Sequence, residues 1–286
     1  MINRLTIIGV GLIGGSLARA LKKANAVAQV TGYGRNVQQL QKAMELGVID
    51  HLETDMGAAV RDADVIVVAV PVGKTLEVLR NIKPHLNPKT IITDVGSSKG
   101  AVVQAAREVF GDALGNFVPG HPIAGTEKSG VEASFAELFE NRRVLLTPLE
   151  NTDQQAVQTI RQMWESSGAF VEETSVKHHD DVLAATSHLP HMLAFALVDA
   201  LATMDDKIEI FRYAAGGFRD FTRIASSDPQ MWHDICVTND KSIVAMLDLF
   251  MTDLERLRDA IKAGDSDYLL QVFTRAKKAR DQFSME

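Results

Sequence analysis

The stretch Arg4-Leu5-Thr6-Ile7-Ile8-Gly9-Val10-Gly11-Leu12-Ile13-Gly14 decides the fold class of this chain. An apolar strand runs directly into a Gly-x-Gly-x-x-Gly turn, and residues 16–23 continue as a predicted helix. The first glycine permits a tight turn, the second lets the backbone approach a pyrophosphate, and the third allows close packing of helix on strand. The start of the helix offers unpaired N–H groups to an anion. The residues expected at a bound dinucleotide are Gly9, Gly11, Leu12, Ile13 and Gly14. The alternative is that the glycines serve only the turn.

Apolar runs rich in β-branched residues recur along the first half of the chain, with helical patterns between them. Strands are predicted at residues 28–33, 63–70, 90–94, 116–119, 143–147 and 169–172. Strands that are apolar on both faces and alternate with helices indicate a buried parallel sheet. The run 63–70 ends near the glycine turn in such a sheet, so Val70 and Pro71 are also expected to contact the cofactor.

The pattern changes near residue 175, and no strand is predicted from His178 onward. Residues 178–204 are helical and apolar nearly all round, with a kink expected at Pro190. Asp228 and Pro229 resemble an N-cap followed by proline in the first turn, and they open a long helix that runs to about Ile261. A last helix begins at Ser266. The predicted architecture is a Rossmann-type α/β dinucleotide-binding domain, residues 1–174, followed by an all-α substrate and dimerisation domain, residues 175–286.

Composition excludes several classes of protein. The 286 residues contain 30 Lys and Arg against 37 Asp and Glu, a net charge of −7, which is unfavourable for binding a nucleic-acid backbone. The single cysteine, Cys236, cannot form an intrachain disulfide and fits a reducing cytoplasm. The longest apolar run, residues 65–72, is too short to span a membrane, and the N-terminus lacks a signal-peptide pattern. We expect a cytoplasmic protein without nucleic-acid or membrane partners.

The end of the second predicted strand bears on the choice of cofactor. Enzymes that use NAD usually place an acidic residue there, on the ribose hydroxyls. This chain instead has Gly34 followed by Arg35. The absence of a carboxylate removes repulsion toward a 2′-phosphate, and Arg35 can pair with that phosphate. NADP+ is therefore slightly favoured over NAD+, with Arg35 stacked on the adenine or merely solvated as the alternative.

Two glycine-containing loops follow neighbouring strands, where ligands bind in open α/β sheets. One reads Asp94-Val95-Gly96-Ser97-Ser98-Lys99-Gly100, and the other begins Gly120-His121-Pro122-Ile123-Ala124-Gly125-Thr126-Glu127. A histidine between glycine and proline has no apolar face to pack on, and a neutral imidazole accepts a proton near pH 7. His121 is thus a candidate base, with a structural loop histidine as the alternative.

The helical half adds further histidines and arginines in short clusters. His188 and His191 share a helix face, but no glutamate is placed as in zinc proteases, so no metal site is expected. His178 and His188 are interpreted as core histidines. The segment Gly216-Gly217-Phe218-Arg219-Asp220-Phe221-Thr222-Arg223 is typical of a turn that presents a guanidinium group to a carboxylate.

Together these segments resemble the prephenate/arogenate (cyclohexadienyl) dehydrogenase family of tyrosine biosynthesis. The resemblance covers nearly the whole chain. It rests on the glycine turn, Asp-Val-Gly-Ser-Ser-Lys, Gly-His-Pro-Ile-Ala-Gly-Thr-Glu, Ser-His-Leu-Pro-His and Gly-Phe-Arg-Asp-Phe-Thr-Arg, in family order. The glycine turn is generic, whereas the other four segments in combination are specific. Unlike two-part members of the family, the chain is expected to lack a chorismate mutase segment before residue 1 and a regulatory domain after Glu286.

The resemblance implies an NAD(P)-dependent oxidative decarboxylation, in which C4 of the ring loses a hydride and the ring carboxylate leaves as carbon dioxide. It implies that His121 accepts the proton of the C4 hydroxyl, that Ser97 assists there, and that Arg223 binds a substrate carboxylate. His191 lies where members that take prephenate often carry histidine. The remaining residues expected at the edge of the pocket are Thr126, Glu127, Arg219 and Asp220. Prephenate is the expected substrate, and arogenate stays open as a second.

Two alternative functions are weighed against this one, and the sequence also predicts an oligomeric state. β-Hydroxyacid dehydrogenases rely on a helical lysine after a glycine-rich turn, followed by asparagine, and no such segment is found. A non-catalytic nucleotide-sensing protein would not need both His121 and Arg223. A homodimer built from the helical half is expected, because residues 182–201 and the long helix after Pro229 are too apolar for a surface.

Overall fold

A computed structural model describes residues 1–205 and 207–283 of the chain. Its largest sheet has six strands in the order β3-β2-β1-β4-β5-β6, and each neighbouring pair is parallel. The strands are β1 (Ile2–Ile8), β2 (Val27–Tyr33), β3 (His51–Glu53), β4 (Val65–Val68), β5 (Ile91–Asp94) and β6 (Phe117–Val118). The strand order reverses between β1 and β4, and dinucleotides bind at such a switch point, beyond the carboxyl ends of the strands.

Five helices lie on the two faces of this sheet. They are α1 (Leu12–Lys23), α2 (Val37–Glu45), α3 (Met56–Val60), α4 (Thr75–Ile82) and α5 (Lys99–Phe110). Side chains of β1 alternate between the two faces: Leu5 and Ile7 pack with α1 and α2, whereas Ile8 packs with α3, α4 and α5. The predicted Rossmann-type α/β class is confirmed. The sequence analysis missed β3, which has three residues and two polar side chains.

Three later strands form a second sheet, which corrects the prediction of one parallel sheet. They are β7 (Gly120–Pro122), β8 (Arg143–Leu146) and β9 (Phe170–Glu173), with helix α6 (Gln154–Glu165) between the last two. β7 and β8 are antiparallel. The change occurs at Pro119, which has no N–H to donate to a sheet partner. Its carbonyl oxygen accepts a hydrogen bond from the Thr147 N–H at 2.9 Å, which ties the chain to the end of β8.

The rest of the described chain is helical, as predicted, with no strand after β9. The helices are α7 (Val176–Leu183), α8 (Leu189–Ala202), α9 (Lys207–Arg212), α10 (Gly216–Thr222), α11 (Pro229–Thr238), α12 (Asp240–Ala263) and α13 (Ser266–Phe283). Asp228 caps α11 as predicted, because its carboxylate accepts the Met231 N–H at 3.0 Å. The last helix begins at Ser266, also as predicted.

Two helix predictions need correction. The irregular part of the apolar helix is a π-helical segment, Ala184–His188, between α7 and α8. Pro190 instead lies in the first turn of α8, where a missing N–H costs little. The predicted helix from Pro229 to Ile261 is broken at Asn239 into α11 and α12. The Asn239 side chain donates to the carbonyl oxygen of Asp180, a distant partner that the local pattern does not contain.

The described chain forms two compact units, Met1–Asp240 and Lys241–Glu286. The predicted domain boundary between residues 174 and 175 stays a prediction. By length and composition alone, the helical stretch Val176–Ala202 is apolar enough to cross a membrane. The absence of a membrane partner therefore also stays a prediction.

Candidate active site

The glycine turn has the shape that a bound pyrophosphate requires. Gly9 has a φ of +99°, and a Cβ on it would overlap the carbonyl of Ala69. A Cβ on Gly14 would lie 2.5 Å from the Gly9 carbonyl oxygen. Gly11, by contrast, has nothing within 4 Å of its Cβ position, and it begins α1 without a side-chain cap. The N–H groups at the start of α1 are therefore open to an anion.

Other predicted cofactor residues surround this turn. Leu12 and Ile13 are half-buried and pack against the core under α1. Val70 follows β4 and lies against Gly9: a Cβ on Gly9 would be 3.2 Å from a methyl group of Val70. Pro71 is next in the chain and is exposed. These residues fit a dinucleotide, whose pyrophosphate the turn and α1 would hold.

The predicted cofactor residues after β2 are also at the sheet edge. Gly34 is half-buried and Arg35 is exposed, immediately before Asn36 caps α2. A Cβ on Gly34 would meet only Leu40, at 3.5 Å, so a larger residue would fit there. No carboxylate occupies the end of β2, as the sequence analysis noted.

His121 lies in β7, where only 9% of its surface is exposed. Its backbone neighbour Gly120 is held on both sides: the Gly120 N–H donates to Asp94 at 3.1 Å, and its carbonyl oxygen accepts from the Lys99 ammonium at 2.7 Å. Lys99 and Asp94 also form an ion pair with 0% and 2% of their side chains exposed. This pair fixes the backbone that carries His121, a role that the sequence analysis missed although it quoted both residues.

Two residues of α7 extend the site behind His121. His121 Nδ1 lies 2.9 Å from His179 Nε2, and His179 Nδ1 lies 2.8 Å from a carboxylate oxygen of Asp180. The sequence analysis did not select His179 or Asp180. The only local signal was the run of two histidines and two aspartates at residues 178–181.

Electrostatics keep the buried histidines neutral. Burial, followed by the electrostatic effects of His179 and Lys99, lowers the pKa of His121 well below its ordinary value. Burial also lowers the pKa of His179, against the opposing effect of its hydrogen bond to Asp180. Burial opposes ionisation of Asp180, but hydrogen bonds from His179 and two backbone N–H groups prevail and lower its pKa. The site thus combines neutral imidazoles with an ionised carboxylate at pH 7.

Ser97 lies in the turn after β5, half-buried. Within the described residues, no hydrogen bond joins it to His121. The neighbouring Ser98 is buried, and its hydroxyl accepts a hydrogen bond from Thr238 at 3.0 Å. The proposed help of Ser97 at the substrate hydroxyl stays a prediction.

Five of the six residues predicted to recognise the substrate are exposed. Arg223 forms an ion pair with Glu127, with 63% and 37% of their side chains exposed. Thr126, Arg219 and Asp220 are exposed as well. The structure thus brings Glu127 and Arg223 together, and the roles of all five residues stay predictions.

His191, the sixth residue predicted to recognise the substrate, is half-buried. Its ring stacks on Trp232, with centroids 3.8 Å apart, and its Nδ1 donates to the Ser187 carbonyl oxygen at 2.8 Å. Trp232 is 6% exposed and was missed, because an aromatic residue on a helix usually signals core packing.

The two histidines interpreted as core residues differ. His188 is buried and interacts with Asn239 at 3.2 Å, as expected, but His178 is exposed. Among residues 1–205 and 207–283, no three His, Cys, Asp or Glu side chains are placed to hold a metal ion.

Comparison with known proteins identifies the family. The family model for the prephenate dehydrogenase nucleotide-binding domain matches residues 17–173, and the model for its dimerization domain matches residues 175–275. Cyclohexadienyl dehydrogenase of Zymomonas mobilis is 40% identical over 97% of this chain and 95% of its own length.

Two crystal structures are similar over nearly the full length of the chain. Prephenate dehydrogenase from A. aeolicus, in complex with hydroxyphenyl propionate and NAD+, is 36% identical with a TM-score of 0.92 and covers 99% of each chain. Arogenate dehydrogenase of Synechocystis is 29% identical with a TM-score of 0.82, over 98% of this chain and 99% of that one. The match of both halves, in sequence and in fold, confirms the expectation drawn from the motifs: this chain belongs to the prephenate dehydrogenase family of oxidoreductases.

Proposed function

We propose that the chain catalyses the NAD(P)-dependent oxidative decarboxylation of prephenate to 4-hydroxyphenylpyruvate, a step of tyrosine biosynthesis. The observation that carries this proposal is the placement of His121, a buried neutral base held by the end of β5. The glycine turn follows β1 of the same parallel sheet. Both therefore lie beyond the carboxyl ends of the strands, where a dinucleotide and a substrate meet.

The chemistry that the bound nicotinamide supplies is acceptance of a hydride from C4 of the cyclohexadiene ring. His121 accepts the proton of the C4 hydroxyl as that hydride leaves, so that the C4–O bond becomes a carbonyl. The ring carboxylate then departs as carbon dioxide, its bonding electrons enter the ring, and His121 returns the proton to the phenolic oxygen. Prephenate and NAD(P)+ thus give 4-hydroxyphenylpyruvate, carbon dioxide and NAD(P)H in balance.

The exposed ion pair suits recognition of a dicarboxylate. Arg223 is the proposed partner of a substrate carboxylate, because its guanidinium can form two parallel hydrogen bonds with one. Glu127 holds that guanidinium in the described structure and would yield it to the substrate. Thr126, Arg219, Asp220 and His191 are proposed to complete the pocket, with Ser97 beside His121.

Substrate and cofactor preference are separate proposals. Prephenate and arogenate differ in a side-chain keto or amino group, and we propose prephenate as the main substrate with arogenate as a second. We propose that NADP+ is favoured over NAD+, from Gly34 and Arg35. The A. aeolicus relative was solved in complex with NAD+.

We also propose a cytoplasmic homodimer without nucleic-acid or membrane partners. Large apolar side chains of the helical half are exposed on the single chain: Val237, Val244, Leu249, Met251, Leu254, Ile261, Leu270 and Phe273. Pairing two copies would cover such residues in a hydrophobic interface. Ile235 and Ile243 lie in the apolar stretch after Pro229 that was expected at that interface, but both are buried within the chain itself. A sedimentation mass near 31 kDa at micromolar concentration would contradict the dimer.

The deciding experiment is a matrix of substrates and cofactors. Purified protein is incubated with prephenate, arogenate or a β-hydroxyacid, each with NAD+ or NADP+, while absorbance of the reduced nicotinamide is followed. We expect turnover with prephenate and none with the β-hydroxyacid. Release of carbon dioxide in step with the absorbance distinguishes decarboxylation from simple oxidation. Cofactor binding without turnover of either ring substrate would favour a nucleotide-sensing protein.

A further inference from the structure

The buried carboxylate of Asp180 meets only hydrogen-bond donors among its described partners. One oxygen accepts the Lys99 N–H at 2.8 Å, and the other accepts the Gly100 N–H at 2.8 Å, both at the start of α5. His179 Nδ1 approaches the first oxygen at 2.8 Å. The two backbone groups can only donate, and the positive end of the 12-residue helix α5 favours the anion. Asp180 is therefore an ionised acceptor, and His179 must carry a proton on Nδ1 to bond with it.

This proton determines the tautomers of two successive rings. A neutral His179 with a proton on Nδ1 has a bare Nε2, which can only accept. His121 Nδ1 lies 2.9 Å from that nitrogen, so His121 must donate from Nδ1. The reverse arrangement, with the proton of a neutral His179 on Nε2, would place the bare Nδ1 of His179 against the Asp180 carboxylate in a buried site. His121 is then left with a bare Nε2, which is the atom able to accept a proton.

From this chain of contacts we propose that Asp180 and His179 are positioning residues, which hold His121 in the tautomer that is protonated on Nδ1 and basic on Nε2. The proposal rests on the role of His121 in the function proposed above. It assigns the role of base to one ring nitrogen, Nε2 of His121. It assigns the positioning of that ring to a carboxylate two residues along the hydrogen-bond chain. The same carboxylate joins α7 to the start of α5, which follows the turn that carries Ser97. The Asp180 carboxylate thus connects His121, through His179, with the helix that follows the Ser97 turn.

The groups around the Asp180–His179–His121 hydrogen bonds do not change the tautomer assignment. The neighbouring groups that oppose a positive charge on His121 are His179 on α7, Lys99 on α5 and His188 in the π-helical segment. Lys99 directs its ammonium to Asp94 and to the Gly120 carbonyl oxygen, so it is committed elsewhere. His188 contacts Asn239 through Nδ1, and Asn239 in turn donates to the Asp180 carbonyl oxygen. Among the described residues, Asp180 is the acceptor bonded to His179 Nδ1.

The direct test reads the tautomers by ¹⁵N NMR of the full-length protein labelled in its histidine rings. His121→Asn and His179→Gln assign the resonances by their disappearance. We expect His121 in the wild type to be protonated on Nδ1 and bare on Nε2 at pH 7. In Asp180→Asn the amide presents a donor either to a backbone N–H or to His179, and we expect mixed tautomers on both rings. A wild-type His121 protonated on Nε2 would overturn the proposal.

Kinetics of matched variants then separate positioning from mere folding. Asp180→Asn is expected to lower kcat by roughly 10²-fold or more, as wrong tautomers do in other enzymes, with KM little changed. His179→Gln keeps an oxygen that can accept from His121 Nδ1, so it should retain at least ten times the kcat of His179→Leu, since general-base catalysis contributes roughly 10²–10⁴-fold. His178→Gln, on the exposed side of the same helix, is the control and should turn over normally.

Two outcomes contradict the positioning role: equal kcat for His179→Gln and His179→Leu, or an unchanged kcat in Asp180→Asn. Dinucleotide affinity and melting temperature, measured on every variant, show whether the fold has survived. The NMR measurement on the resting wild type does not require turnover. If the wild type fails to oxidise prephenate, the proposed function fails while the tautomer assignment is still tested on its own.

Discussion

The surroundings of His121 and of Arg223 differ in almost every physical respect. His121 is 9% exposed and its inner nitrogen is hydrogen-bonded, with the fully buried Lys99 nearby. Arg223 has 63% of its side chain exposed and pairs with Glu127, which the solvent also reaches. The proposed proton-transfer site is thus assembled before any ligand arrives, whereas the proposed recognition site holds its guanidinium in an exchangeable pair. Preorganised groups need no rearrangement during the reaction, while an exposed pair can be displaced by a substrate.

Replacement of His121 should have the largest effect, because it removes the proposed general base. We expect His121→Asn to lower kcat by roughly 10²–10⁴-fold while the dinucleotide affinity stays unchanged. Steady-state kinetics and a cofactor titration measure the two quantities. The exposed histidine variant His178→Asn should behave as the wild type. Near-normal turnover in His121→Asn would remove this residue from the mechanism.

The ion pairs of the two regions should differ sharply in stability. Lys99→Ala leaves Asp94 charged and buried without its partner, which typically costs about 3–5 kcal/mol in the free energy of unfolding. The matched control is Arg143→Ala, whose pair with Glu172 has 69% and 56% of the side chains exposed. It should change the free energy by only about 0.5 kcal/mol. Urea denaturation compares the two, and equal losses would mean that burial does not set the difference.

Acid should destabilise the buried histidine region. Burial lowers the pKa of His188 from 6.5 to about 4. Between these values the unfolded chain binds a proton that the folded chain does not, so stability is complete above pH 6.5 and falls as the pH falls toward 4. The loss should be about 3 kcal/mol for this residue, and His121 and His179 act in the same direction.

Urea denaturation at pH 7.5 and pH 4.5 measures that loss. His188→Gln should unfold with a smaller difference between the two pH values than the wild type. The control His178→Gln should keep the full difference, because that ring is exposed in the folded chain. A His188 variant with the wild-type pH dependence would show that other groups cause the loss.

Arg223→Ala tests the exposed side of the comparison and should affect binding more than chemistry. Hydrogen bonds to a charged group are worth about 1.5–3 kcal/mol, so KM for the ring substrate should rise roughly ten-fold or more. The change in kcat should be smaller, since the pair is held in both ground and transition states. Glu127→Gln, which frees the same guanidinium, serves as the matched variant. An unchanged KM in Arg223→Ala would contradict the assignment.

The sequence could predict residues whose structural role depends on near neighbours in the chain, but not residues whose partners are distant in the chain. Gly9 has a positive φ, Gly14 meets the Gly9 carbonyl oxygen within the same turn, and Asp228 caps the helix beside it, so local patterns revealed all three residues. His121 was found because glycine and proline flank it. His179 and Asp180 were missed because their partners lie 58 and 81 residues away in the chain, and only the folded structure brings α7 against His121 and the start of α5. The break at Asn239 was missed for the same reason.

The smallest expected effect concerns the cofactor, at the end of β2. Gly34 carries no charge, and a Cβ there would meet Leu40 at 3.5 Å, which is ordinary contact. An aspartate therefore fits sterically, and its carboxylate would repel a 2′-phosphate while accepting hydrogen bonds from an unmodified ribose. Arg35 follows directly and is exposed, and we expect its planar donors to bond the phosphate oxygens.

We expect the wild type to have the higher kcat/KM with NADP+, and Arg35→Ala to lower that value roughly ten-fold while sparing NAD+, because one charge-assisted hydrogen bond is worth about 1.5–3 kcal/mol. Gly34→Asp should reverse the preference, and Gly34→Ala is its uncharged control. The measurement is kcat/KM for both cofactors in all four proteins at one ionic strength, since salt screens an exposed pair. A wild type that strongly prefers NAD+, with neither value changed by Arg35→Ala, would show that this arginine does not bind the phosphate. The ribose would then be held through backbone groups, and the end of β2 would resemble the His121 region in relying on the fold rather than on a displaceable side chain.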